Sequence, residues 1–305
     1  MEQQKKTFSR KAFIKTTSAG ILGTGLMIRN LTAFTGDDKP VRVPLGHTGM
    51  MVTPLCFGAS RAQSPAVLLM ALDKGINFID TGRQYGHGRN EEMIGKTLQD
   101  QHKEVIIQSK VKIVISATGK ALRTKAIAGK IRGIMQKSLD ESLKALRRDV
   151  LDIWLCHGPE REEILFHDEV MKFFSDVKSR GLIKAHGFSA HSHQTEFLHR
   201  ANALRFYDVV MVGYNHKGSM VHSLTGIYRK FDNRGIEREL AVAHNRGIGI
   251  IAMKTCSGGP YAPAPATEPS LPLAVQWVLN KPFVDAAAVA MSNFNQINEH
   301  TSLLI

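Results

Sequence analysis

Four side chains with complementary proton chemistry stand at the ends of three successive apolar runs. The run 76–81 carries Asp80 and is followed by Tyr85, the run 105–110 closes on Lys110, and the run 151–157 closes on His157. A phenol with a pKa near 10 is a weak acid at neutral pH. A neighbouring ammonium stabilises its phenolate, a carboxylate holds that ammonium charged, and an imidazole can orient the oxygen that receives the proton. Taken singly, each residue has an ordinary explanation: the aspartate caps a turn, the tyrosine packs, the lysine is solvated and the histidine bonds within a core. Brought to one rim, Asp80, Tyr85, Lys110 and His157 form a proton-delivery device.

The elements that must bring them there repeat a strand, loop and helix pattern from Val41 onward. Strand-like runs occupy residues 52–58, 76–81, 105–110, 151–157, 183–189, 209–215, 248–254 and 286–292. Helical patterns fill 64–74, 90–100, 127–145, 168–180, 193–203, 236–245 and 271–279 between them. Near-continuous apolar strands need cover on both faces, as a parallel sheet has. Eight such units match the count and size of an α/β (β/α)8 TIM barrel, whose functional residues lie at the C-terminal ends of the strands. A doubly wound sheet would carry a G-x-G-x-x-G turn after its first strand, and Phe57-Gly58-Ala59-Ser60-Arg61 has none. Ahead of the barrel, 41–46 and 51–53 flank His47-Thr48-Gly49, a hairpin expected to plug the floor. The Pro-rich stretch 258–265 is expected to be a stiff loop on the active face.

These residues resemble the Asp, Tyr, Lys and His tetrad of the aldo-keto reductases. The stretch 75–81, continuing through Tyr85-Gly86, Asn90-Glu91 and Ile94-Gly95-Lys96, is similar to that family's G-x-N-x-x-D-T-A-x-x-Y-G signature, with Gly82 in the alanine position. The likeness runs from about Val41 to Glu299. It implies a domain over 41–305 that moves hydride between a nicotinamide cofactor and a carbonyl or alcohol substrate, without metal or iron–sulfur cluster. Tyr85 would be the general acid, Asp80 and Lys110 would tune it, and His157 would orient the small-molecule carbonyl substrate. The likeness also implies cofactor contacts from Ser189, from Lys254 at a pyrophosphate, and from Ser292, Asn293, Gln296 and Glu299 at the adenine end. Ala190 stands where the family has the asparagine that follows this serine, and Met211 where it has a glutamine. Ser292 takes the place of a basic residue that holds a 2′-phosphate, which leaves NADP and NAD both open. The lost amide contact and the short C-terminal tail motivate a second reading, a nicotinamide-binding module of the same fold with weak or no turnover.

Lysine and arginine number 40 against 27 acids, a net +13. Six of those bases and one acid lie within residues 1–35, so the remainder holds 34 against 26, or +8. With 7% aromatic residues and no zinc-finger or RNP pattern, this excess reads as a basic surface for an anionic cofactor and not as a nucleic-acid site. Ser9-Arg10-Lys11-Ala12-Phe13-Ile14-Lys15 resembles the twin-arginine signal S-R-R-x-F-L-K, and an apolar, Gly-rich stretch follows at 17–26. That stretch is too short to span ~30 Å of hydrocarbon. The resemblance implies that residues 1–35 are read by the twin-arginine export machinery and that the folded protein reaches the periplasm; a cytoplasmic protein with a plain tail is the alternative. Cys56, Cys156 and Cys256 have no C-x-x-C pairing and read as small buried hydrophobes. His186, His191 and His193 form a rival, zinc-like constellation that would need further ligands on other strand ends.

Overall fold

The computed structural model describes residues 40–99, 104–221, 226–256 and 271–302; the export-like segment and the Pro-rich loop 258–265 lie outside the described residues. A two-stranded hairpin, β1 (Val43–Pro44) and β2 (Met51–Val52), comes first. The barrel follows, with parallel strands β3 (Leu55–Gly58), β4 (Phe78–Asp80), β5 (Ile106–Val111), β6 (Leu151–His157), β7 (Ile183–Ala190) and β8 (Val209–Gly213). A small antiparallel hairpin, β9 (Ser219–Val221) and β10 (Tyr228–Lys230), precedes β11 (Gly249–Met253) and β12 (Ala286–Ala290), which close the barrel against β8 and β3. All eight apolar runs therefore become barrel strands, and each helical pattern becomes a helix within a few residues of the expected bounds. The pattern at 127–145, for example, is the helix Lys125–Leu146, started by Thr124, whose hydroxyl accepts from Ile127 N, and ended by Arg147 at a left-handed φ of 54°.

Alternation along the strands divides the core in two. Phe78, Ile106, Ile153, Leu155, Ala185, Val209, Met211 and Ile251 fill the barrel interior, while Phe57, Ile79, Ile107, Trp154, Phe188 and Val210 face the helices. The same parity aims Asp80, Gln108, Lys110, His157 and Ser189 inward, because each lies an even number of positions beyond an interior apolar residue on its own strand. Strand β7 packs against the start of β8 at Gly187, where a Cβ would sit 1.7 Å from the Val209 carbonyl oxygen.

The first hairpin plugs the floor, as expected. Leu45 is fully buried beneath the barrel, Gly46 N donates to Asp285 Oδ2 at 3.1 Å, and His47 N donates to the Gly247 carbonyl at 2.7 Å. Asp285 and Gly247 precede β12 and β11, so the plug lies at the N-terminal end and leaves the opposite mouth for chemistry. The run 52–58 holds parts of two elements. Pro54 cannot donate to a ladder, and Thr53 leaves the sheet to exchange bonds with Asn77, its N–H reaching Oδ1 at 2.7 Å.

Candidate active site

Register sets the first contact. Asp80 on β4 pairs with Gln108 on β5, and both point inward. Lys110, two residues further along β5, is carried one layer higher on the same face, with a side chain 1% exposed. Its ammonium has three donors and meets three acceptors: Asp80 Oδ1 at 2.5 Å, the Thr81 carbonyl at 2.7 Å and Tyr85 Oη at 3.1 Å. Gln108 Nε2 donates to the same Asp80 oxygen at 2.6 Å, and its Oε1 is buried without a hydrogen-bond partner among the described residues.

Tyr85 arrives on a tight loop. Its N–H bonds back to the Gly82 carbonyl at 2.9 Å, and Gly86, His87 and Gly88 are all left-handed, at φ of 59°, 56° and 91°. Those three residues reverse the chain into the helix Arg89–Leu98. Glycine is favoured at 88 because its φ of 91° is a conformation that L side chains rarely adopt. Arg83 pairs with the fully buried Glu91 at 2.5 Å, whose carboxylate also accepts from Ser109 at 2.5 Å and Ser142 at 2.9 Å. Ser109 precedes Lys110 on β5. A single carboxylate thus ties the tyrosine loop to the lysine strand.

Burial is the largest influence on Tyr85 and raises its pKa; Lys110 lowers it, Asp80 raises it again, and the net direction is upward. The ammonium therefore does not leave a standing phenolate. The phenol keeps its proton at neutral pH, and because Lys110 donates to Oη, the phenolic hydrogen is available to another acceptor. Burial likewise acts first on Lys110, downward, but the Asp80 carboxylate and then Tyr85 outweigh it and the net shift is upward. Lysine stays charged inside the barrel because its counter-charge is in contact.

His157 ends β6 across the mouth, its ring edge-on to Tyr85 at 5.7 Å between centroids. Its Nδ1 lies 2.8 Å from Gln84 Oε1. Burial, followed by the charges of Lys110, His191, Lys112 and Lys254, pushes its pKa well below the usual histidine range. All four tetrad residues thus share one mouth.

The expected cofactor residues divide into three places. Ser189 is buried at the end of β7, and its hydroxyl accepts from Gly158 N at 3.3 Å and donates to the Cys156 carbonyl at 3.5 Å, closing the β6 end. Lys254, just past β11, is half-buried at a left-handed φ of 58°; burial first and Arg61 second lower its pKa. Ser292, Asn293 and Gln296 form a reciprocal cap on the helix Phe294–Thr301. Gln296 N donates to Asn293 Oδ1 at 3.0 Å, and Gln296 Oε1 accepts from Ser292 N at 2.7 Å. Glu299 is exposed one turn further on.

Among the described residues, no three His, Cys, Asp or Glu side chains gather as metal ligands. His186 is stacked between Phe174 at 5.1 Å and Phe206 at 4.5 Å on the outer side of β7, and His193 lies against Phe197 at 5.8 Å. His186 and His193 thus serve separate surroundings. Sequence reasoning missed Gln108, Gln84 and the Arg83–Glu91 pair. Gln108 was recoverable, since it shares the inward parity of Lys110.

The pattern of the Aldo/keto reductase family matches residues 55–270. A 6-dehydroglucose reductase of Novosphingobium aromaticivorans is 32% identical over 160 residues, 48% of this chain and half the length of that protein. An uncharacterised oxidoreductase of Bacillus subtilis is 23% identical over 81% of this chain and 72% of its own. A crystal structure of an aldo-keto reductase from Pseudomonas aeruginosa superposes with a TM-score of 0.66 at 26% identity, covering 88% of this chain and 97% of that one. The family pattern spans strands β3 to β11 and every residue of the tetrad, and with it the chain belongs to the aldo/keto reductase family.

Proposed function

We propose that the protein is an NAD(P)-dependent oxidoreductase that interconverts a carbonyl compound and its alcohol, with Tyr85 as general acid. The observation that carries this reading is the placement of Lys110 Nζ between Asp80 at 2.5 Å and Tyr85 Oη at 3.1 Å. Lys110 donates to the phenol oxygen and Asp80 keeps Lys110 charged, so negative charge that develops on Oη as its proton leaves is met by an ammonium already in place. His157, on the opposite side, orients the substrate oxygen. Gln108 holds Asp80 from beneath.

The mouth suits a dinucleotide. Lys254 and Arg61 are like charges close enough for one to depress the other's pKa, and neither has a carboxylate partner among the described residues. A bound pyrophosphate relieves that repulsion. The N-terminus of the helix Phe294–Thr301 offers backbone N–H groups beside Ser292 and Asn293 for the adenine end, with Gln296 and Glu299 on the same helix. Ser189 is assigned to the amide of the nicotinamide, whose ring, when bound, would supply or accept the hydride.

A second reading, a nicotinamide-binding module with little turnover, draws on one feature. The Ser189 hydroxyl is already engaged with the β6 end, and Ala190 brings no amide beside it. Cofactor titration combined with a panel of aldehydes, ketones and sugars decides between the two. Oxidation of NADPH or NADH dependent on any carbonyl supports the oxidoreductase, whereas tight cofactor binding with no turnover across the panel supports the module. The sugars are included because one relative is named for 6-dehydroglucose.

We further propose that residues 1–35 direct export by the twin-arginine route after the barrel has folded around its cofactor. The support is the 9–15 heptad and its basic flank. Cell fractionation of wild type against Arg10→Lys with Lys11→Gln tests this: periplasmic wild type and a cytoplasmic variant support it, and wild type confined to the cytoplasm overturns it.

A further inference from the structure

Strand β5 turns Gln108 and Lys110 inward, and the same alternation brings Lys112, one residue past its end, to that side. Register fixes its level. Lys110 pairs with Leu155 and Val111 with Cys156, which carries Lys112 level with His157, itself paired with Ser189 on β7. Neighbouring strands lie about 4.8 Å apart. The lysine therefore belongs to the layer of the histidine, one layer above the ammonium that serves Tyr85.

The other cations on this side are committed. Lys110 is spent on Asp80 and Arg83 on Glu91. Arg161, from the loop after β6, donates to the Ile115 carbonyl at 2.5 Å and the Ala117 carbonyl at 3.0 Å, and so fixes the segment that follows Lys112. Lys112 itself is exposed and has no hydrogen bond or ion pair among the described residues. It also stands apart from the pair assigned to the pyrophosphate. In the closed order of the barrel, β5 is four strands from β11, which leads to Lys254, and two from β3, which leads to Arg61.

We propose that Lys112 is a specificity-determining residue that takes a carboxylate of the substrate, so that the carbonyl compound is an oxo acid with its carboxylate a few bonds from the carbonyl carbon. This rests on the reading of Tyr85 and His157 given above. Those two side chains hold the carbonyl oxygen, and Lys112 extends a flexible stem from the strand beside His157. A single ammonium balances the one charge of a carboxylate and leaves the second charge of a phosphate unmet.

Loading the protein with oxidised cofactor, which has no hydride to give an oxo acid, lets binding be measured without turnover. Pyruvate, succinic semialdehyde and levulinate are titrated calorimetrically, each against its own methyl ester. At least one acid is expected to bind about tenfold more tightly than its ester, by a preference that shrinks as salt rises. Lys112→Arg is expected to keep that preference, and Lys112→Met to bring the acid's Kd up to that of the ester. With reduced cofactor, the loss in Lys112→Met is expected in KM for the acid and not in kcat. Equal affinity for every acid and its ester, no binding of any acid, or a preference that survives in Lys112→Met overturns the proposal. The titrations need no turnover, so their failure is distinct from a failure of the oxidoreductase reading, which shows as an absence of carbonyl-dependent cofactor oxidation.

Discussion

Replacing Lys110 by methionine removes a charge whose three partners are all fixed. Asp80 would be left as a carboxylate with a side chain 5% exposed, with the Gln108 amide as its remaining donor, and the Thr81 carbonyl would lose its bond at 2.7 Å. Breaking a buried ion pair in this way costs about 3–5 kcal/mol, because the surviving charge is neither solvated nor paired. Removing both charges is different. In Asp80→Asn with Lys110→Met, no ion is stranded, Gln108 can still donate to the side-chain amide oxygen that replaces the carboxylate, and stability is expected to return to within about 1–2 kcal/mol of wild type, as charge pairs replaced together often do. Activity should not return, since Tyr85 then has no ammonium 3.1 Å from Oη. Urea unfolding followed by circular dichroism, with turnover measured on the same preparations, separates the two effects. A Lys110→Met protein as stable as wild type, or a double variant as unstable as the single one, refutes the view that Asp80 and Lys110 form a buried pair held for its effect on Tyr85.

Two further perturbations test the packing and the charge balance. His186, stacked between Phe174 and Phe206, has its pKa lowered to about 4, chiefly by burial, with Asp208 opposing and Lys178 adding to the shift. The unfolded chain therefore takes up a proton below pH 6.5 that the fold refuses, and stability falls with pH from about 6.5 towards 4 by roughly 2 kcal/mol at pH 5 from this residue alone. His186→Phe should make the loss between pH 7.5 and 5 smaller by about that amount; equal losses in the two proteins would exclude the assignment. Gly95 lies against the helix Lys125–Leu146, where a Cβ would come within 2.2 Å of the Ala145 carbonyl oxygen. Gly95→Ala should lower stability by about 1–3 kcal/mol as the two helices part, and an unchanged urea midpoint would contradict that contact.

The barrel was legible because parallel strands covered on both sides must be apolar throughout, and eight such runs alternate with amphipathic segments. The tetrad was legible for a related reason: a charged or polar residue that closes an apolar run, as Asp80, Lys110 and His157 do, conflicts with burial unless partners await it. What stayed hidden depends on pairing between strands or on short loops. Gln108 looked like one more position in a strand until its register with Asp80 was known. Gln84 and Arg83 lie in a turn whose three left-handed residues leave no periodic trace. The split of 52–58 into β2 and β3 follows from the exchange of bonds between Thr53 and Asn77, which no local pattern announces. Residue types reveal the ammonium beside Tyr85, whose charge lowers the phenol's pKa, but not the depth of burial that outweighs it.

The role of Tyr85 is tested most directly by Tyr85→Phe, which deletes the phenolic oxygen 3.1 Å from Lys110 and keeps the ring that packs edge-on against His157. With a carbonyl substrate found in the panel, turnover of the variant should fall by roughly 10²–10⁴, the usual contribution of a general acid, while cofactor affinity by fluorescence titration is unchanged. Turnover at the wild-type rate would contradict the assignment of Tyr85 as the proton donor.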